Sequence, residues 1–130
     1  MANRTFSPPA GNYTTGVVRL DFSFTANGAS DPATTTFRGE GVASVVHSAT
    51  GKYTVTLSDG FRYVISAMAT LEDTGSGDGA AATVGTISNE GSSSAISLLV
   101  FTNAADGTKT DYSSRRVSLQ LALKNSSVGK

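Results

Sequence analysis

Apolar residues recur along this chain with a period of two rather than 3.6. Between residues 17 and 24, Val18, Leu20, Phe22 and Phe24 alternate with Arg19, Asp21 and Ser23. That is the pattern of a strand with one buried and one wet face. Residues 116–124 repeat it, with Val117, Leu119, Leu121 and Leu123 facing in. Residues 95–101 are apolar at nearly every position, which predicts a central strand buried on both faces. A shorter strand is predicted over 83–88. Polar segments at 27–36, 89–93 and 104–114 separate these runs, and 72–82 is a Gly-rich, small-residue loop. No stretch carries the apolar stripe of a helix.

The pattern is most detailed between residues 41 and 71. Two apolar-alternating runs are punctuated by Ala49-Thr50-Gly51 and Ser58-Asp59-Gly60. A two-residue Asp59-Gly60 turn would set Leu57 against Arg62. A three-residue loop sets Leu57 against Phe61, Val55 against Tyr63 and Tyr53 against Ile65. Register follows the hydrophobic pattern, because a slip of one residue turns every side chain over. The three-residue loop is therefore predicted, with Gly60 left-handed beside a bulge. The same logic pairs Val45 with Val55, Ala43 with Leu57 and His47 with Tyr53. The expected unit is a three-stranded meander over 41–71. Its outer face carries Val42, Val46, Val64 and Met68, too apolar a set for solvent, which points to a covering layer or subunit.

These elements predict an all-β fold: a single-domain antiparallel β-sandwich or jelly roll over residues 17–130. Residues 1–16 read as an extended N-terminal arm, rich in Pro, Asn, Thr and Gly and anchored by Phe6 and Tyr13 around Pro8 and Pro9. Two readings of the arm stay open, a frayed terminus and a segment that orders against a partner.

Composition narrows the function. The 130 residues fit one domain, large enough to bury a core without staples. The absence of cysteine removes disulfides, thiolate metal sites and cysteine nucleophiles. Ten basic residues balance ten acidic ones, and only Arg115-Arg116 are adjacent. No concentrated basic face for nucleic acid is expected from that. No secretory signal is read in residues 1–16, and the longest apolar run is too short for a membrane helix.

Candidate chemistry is sparse. Asp73-Thr74-Gly75-Ser76 matches the short signature of aspartic proteases, whose mechanism needs two aspartates sharing one proton. However, the motif follows Glu72 and precedes Gly77-Asp78-Gly79, where that family has an apolar, buried setting. Asp73 and Asp78 lack the alternating spacing of a calcium loop. Asp106-Gly107 and Asp111 read as turn residues. His47, the one histidine, reads as structural, because no nucleophile elbow accompanies it. No phosphate loop ends in Lys-Ser/Thr. Four tyrosines without tryptophan leave a carbohydrate-binding sandwich as an alternative. No catalytic, cofactor-binding or metal residue is assigned, no cofactor is expected, and the chain is read as not an enzyme.

Two segments resemble small phage virion proteins. Gly51-Lys52-Tyr53-Thr54-Val55-Thr56-Leu57-Ser58-Asp59-Gly60-Phe61, continuing to Leu71, is similar to their central hairpin. Residues 116–127, Arg-Val-Ser-Leu-Gln-Leu-Ala-Leu-Lys-Asn-Ser-Ser, are similar to their closing strand. The type is that of capsid cement or decoration proteins with a jelly-roll fold. The resemblance covers about a third of the chain and transfers no functional residues. It implies a homotrimer bound to the major capsid protein on the outer surface of the virion, after synthesis in the host cytoplasm. On that reading Phe6, Pro8, Pro9 and Tyr13 form a capsid-contact arm, and Val42, Val46, Val64 and Met68 a subunit or layer contact face. The alternatives are a trimeric tail-fibre or spike tip and, through Asp73, a small aspartic protease.

Overall fold

The computed structural model describes residues 16–75 and 77–124. It is an all-β sandwich of two antiparallel four-stranded sheets. In chain order the strands are β1 (Val17–Asn27), β2 (Arg38–Gly39), β3 (Val42–Ala49), β4 (Lys52–Leu57), β5 (Tyr63–Leu71), β6 (Ala81–Ser88), β7 (Ser97–Asn103) and β8 (Ser113–Lys124). The first sheet has the order β2-β1-β8-β5 and the second β3-β4-β7-β6. A single 3-10 turn, Thr34–Thr36, lies in the loop before β2. The arm expected over 1–16, with Phe6, Pro8, Pro9 and Tyr13, lies outside the described residues except for Gly16.

The clean alternation of β1 and β8 has the consequence expected of it. The two strands pair from Val17 opposite Lys124 to Thr25 opposite Arg116. Leu20, Phe22, Phe24 and Ala26 meet Val117, Leu119, Leu121 and Leu123 inside, each at most 6 % exposed. The second sheet supplies Val45, Tyr53, Val55, Leu57, Leu98 and Val100 to the same core. Aromatic rings stitch the layers: Phe24 meets Tyr53 at 5.2 Å between centroids, and Phe37 meets Phe22 edge-on at 5.1 Å. Burial of this apolar surface is the main term holding the sheets together.

The meander predicted over 41–71 does not form. The hairpin of β3 and β4 is present, with Val45 opposite Val55 and His47 opposite Tyr53. A bulge between Val42 and Ser44 then sets Val42, not Ala43, opposite Leu57, so Val42 packs on the core and Ala43 is exposed. After Leu57 the chain leaves the sheet. Strand β4 takes β7 as its second neighbour, and β5 crosses over to pair with β8. The loop start is pinned by Leu57 N–H to the Ile96 carbonyl and Ser58 N–H to that of Gly41. Gly60 is not among the left-handed glycines.

The physical reason is a competition for the inner strand position. Tyr53, Val55 and Leu57 are fully buried, which suits an inner strand with a neighbour on each side. Strand β7 provides it with Leu98 and Val100, which are equally buried. Strand β5 in turn fits beside β8. A bulge between Val64 and Ser66 resets its phase, so Val64, Ala67, Ala69 and Leu71 pack on the core. Ile65 and Met68 are left exposed at 49 % and 58 %. Strand β7 is central as expected, but only one of its faces is fully buried, since Leu99 and Phe101 remain half-exposed.

Candidate functional site

The loops at the two ends of the sandwich differ in kind. At one end lie the start of β1, the end of β8 and the start of β5, joined through Val17, Lys124 and Tyr63. At the other end lie the turn after β3 and the loops 28–37, 72–80 and 104–112. Most of the acidic residues there cap backbone amides. Asp73 accepts hydrogen bonds from Gly75 N–H at 2.8 Å and Gly77 N–H at 3.2 Å. Asp106 accepts from Thr108 N–H at 2.9 Å, and Glu72 from Arg116 N–H at 3.1 Å. Asp78 pairs with Arg115 at 2.6 Å, and the Arg115 guanidinium stacks over Tyr112 at 4.6 Å. The Arg115 contact holds the exposed Asp78 carboxyl below the ordinary aspartate range.

The residues singled out for chemistry are therefore built into turns. The Asp73 carboxylate sits exposed at a loop surface and is engaged by its own backbone. Among the described residues, no three His, Asp or Glu side chains converge closely enough to hold a metal ion. His47 lies at the end of β3, with its Nε2 2.8 Å from Asp111 Oδ1 and its ring edge-on to Tyr53 at 5.5 Å. The same Asp111 oxygen accepts the Gly51 N–H at 2.7 Å. The backbone N–H of His47 donates to Asp31 Oδ1 at 2.8 Å. One histidine thus ties three loops together.

The four residues read as one outer face do not share a sheet. Val42 and Val46 are on β3 of the second sheet, and Val64 and Met68 on β5 of the first. Val42 and Val64 pack on the core, whereas Val46 is 43 % exposed on one edge strand and Met68 is exposed on another. The assumption of a continuous meander put them together, and the crossover after Leu57 separates them.

A concave surface along the first sheet was not anticipated. Two shallow depressions share Asp21 and Gly39 and make one groove along β1. The first, of about 340 Å³, runs over Ser23, Arg38, Ser118 and Gln120 on the outer face of the first sheet. The second, of about 630 Å³, runs past Arg19, Glu40, Asp59 and Phe61 at the edge. Gly39 makes the groove possible. Its φ of +98° is a left-handed value, and an added Cβ would run into the Asp21 backbone.

The polar groups in this groove differ from those at the loop end. Among the described residues, seven carboxylates accept hydrogen bonds within the chain: Asp31, Glu72, Asp73, Asp78, Glu90, Asp106 and Asp111. The three that have neither hydrogen bond nor ion pair are Asp21, Glu40 and Asp59, and all three line the groove. Ser23, on β1, lines the first depression. Alternation along β1 places Asp21 and Ser23 on the outer face, but sequence gave no sign that β2 would wall them in. A two-residue strand is too short to announce itself.

No protein-family model, curated protein or solved structure matches this chain.

Proposed function

We propose that this chain is a cement or decoration protein of a phage capsid, binding the major capsid protein between capsomers on the outer surface of the virion and stabilising the head. The observation that supports this reading best is the polarity of the sandwich. Val17 and Lys124 are paired neighbours, so β1 begins and β8 ends at the same end of the sandwich. Loops carrying Asp31, Glu72, Asp73, Asp78, Asp106 and Asp111 occupy the opposite end. An N-terminal arm gripping a shell through Phe6, Pro8, Pro9 and Tyr13 holds the domain by one end and directs the acidic loops away. A jelly-roll wrapping belongs to the same reading. The first long strand lies beside the last, and the chain changes sheets after β2, β4, β5 and β7.

Such a protein acts by binding alone. Burial at its contacts opposes the outward pressure of packaged DNA, and a trimer links three weak contacts through effective concentration. The exposed Val46, Ile65 and Met68 on edge strands suit contacts between neighbouring copies.

The test is a reconstitution. Purified full-length chain and a chain beginning at Gly16 are each mixed with undecorated capsids and separated on a density gradient. Full-length protein is expected to sediment with capsids in hundreds of copies and the shortened chain to stay at the top. Equal capsid occupancy by both chains removes the role of the arm, and a handful of copies per particle favours a fibre tip instead.

A further inference from the structure

We propose that Asp31 and Glu90 guard two sheet edges, each keeping the backbone of one edge strand from pairing with the same strand of a second copy of this chain. Nothing in the virion reading requires it, and its support is separate.

The first support is which strands stand at the edges. Strand β3 ends the second sheet and β5 the first, each with a ladder on one side only among the described residues. They have eight and nine residues, and neither contains Asp, Glu, Lys, Arg or Pro. Each also shows large apolar side chains to solvent, Val46 on β3 and Ile65 and Met68 on β5. Long, uncharged edges of this kind are templates for another chain, and natural sheets block them with lysine, proline, a bulge or a cover. The chain that suits such a strand is its own copy. Antiparallel pairing across a twofold sets the strand against itself, and a strand without charge brings no like charges together there.

The second support is what distant loops place on those edges. Asp31 Oδ1 accepts the backbone N–H of His47 on β3 at 2.8 Å. Glu90 Oε2 accepts that of Val64 on β5 at 2.6 Å. The two carboxylates come from 16 and 26 positions away, so neither is a turn closing on itself. In both strands the amide taken lies beside a bulge, between His47 and Ala49 on β3 and between Val64 and Ser66 on β5. Both hydrogen bonds are exposed, so water would satisfy the amides nearly as well. What the carboxylate adds is a block. It occupies the donor that an incoming strand would use, and it sets a negative charge where that strand's carbonyl oxygen would come. The guards act on backbone pairing alone and leave side-chain contact between copies open.

The test is mass in solution, by light scattering over a concentration series, on the full chain without capsids. The parent's own mass is the baseline. Asp31→Ala and Glu90→Ala are each expected to keep the parent's circular dichroism and to reach about twice its mass or more at the same concentration. Lysine on the opened strand restores an ordinary guard. Asp31→Ala combined with Ala43→Lys, and Glu90→Ala combined with Thr70→Lys, are therefore expected to return to the parent's mass; Ala43 and Thr70 are exposed positions on β3 and β5. Asp106→Ala, which frees a loop amide rather than a strand amide, is expected to keep the parent's mass. Unchanged mass in Asp31→Ala or in Glu90→Ala overturns the proposal for that edge. Association that the lysine does not reverse overturns it too, because the association then comes from lost folding and not from an open edge. Capsid occupancy enters none of these readings, so this inference and the virion reading stand or fall separately.

Discussion

His47 and Asp111, 64 positions apart in sequence, meet with Nε2 2.8 Å from Oδ1. The same carboxylate oxygen receives the Gly51 amide at 2.7 Å, so the turn between β3 and β4 is fastened to the loop before β8. Asp111→Ala leaves the Gly51 N–H and the imidazole without their acceptor. A loss of about 1–3 kcal/mol is expected, read as a lower urea midpoint at unchanged slope. His47→Ala leaves the Gly51 bond in place and should cost less.

The same contact predicts a pH dependence. The Gly51 amide holds the Asp111 carboxyl below the usual carboxylate range, with the His47 contact adding to this and partial desolvation opposing it. A carboxyl depressed in the folded state stabilises it above the unfolded-state pKa, and that contribution is lost as pH falls through the folded value. The stability gap between the parent and Asp111→Ala should therefore be full near neutrality and close progressively in acid. Urea midpoints measured from pH 7 down to pH 2 check this, and a gap that persists at the acid end contradicts it.

Tyr53 predicts an effect at the alkaline end. Its side chain is fully buried, its hydroxyl has no hydrogen-bond partner, and burial, aided by the Asp111 charge, pushes its pKa up to about 12. The neutral form is favoured by folding, so this stability is complete below the ordinary tyrosine pKa and lost as pH rises through the folded value. Absorbance titration should find one tyrosine ionising at about pH 12. Tyr53→Phe removes an unsatisfied buried hydroxyl at little change of shape, so it should be neutral or slightly stabilising and abolish the late titration.

Gly51 predicts a steric penalty. Its φ is +61°, and an added Cβ would stand 2.6 Å from both the Thr102 carbonyl oxygen and the Thr110 nitrogen. Gly51→Ala should destabilise by about 2–4 kcal/mol, from left-handed strain together with overpacking. Gly107 is also left-handed, at φ +87°, but an added Cβ there meets nothing within 4 Å. Gly107→Ala should therefore cost the backbone strain alone. Thermal melts of the two variants separate the contributions.

How much of this was legible follows from where the information lies. The alternation of Leu20, Phe22 and Phe24, and of Val117, Leu119 and Leu121, marks each strand and its inner face, because a strand shows its own burial. Partner choice is another matter. Leu57 against Phe61 and Val55 against Tyr63 make a good local hairpin on paper, but β4 is an inner strand and needed β7 as well. The bulge at Ile65 shifted β5 by one position, and no local signal distinguished that from an unbroken strand. The groove was illegible for a related reason. Asp21, Glu40 and Asp59 are far apart in sequence, and only the crossover after Leu57 and the two-residue β2 bring them along one wall. His47 opposite Tyr53 was correctly placed by register, but its partner Asp111 read as a turn residue, as the long-range contact left no mark on its neighbours.

The pairing of Val17 with Lys124 has a consequence for engineering. A short linker from position 124 back to position 17 spans adjacent strands, and the chain can be reopened at Gly77, in the exposed loop between β5 and β6. Such a circular permutant keeps every strand pair while moving both ends to the opposite pole of the sandwich. Cargo fused to the original chain and to the permutant is then displayed in opposite directions from one scaffold.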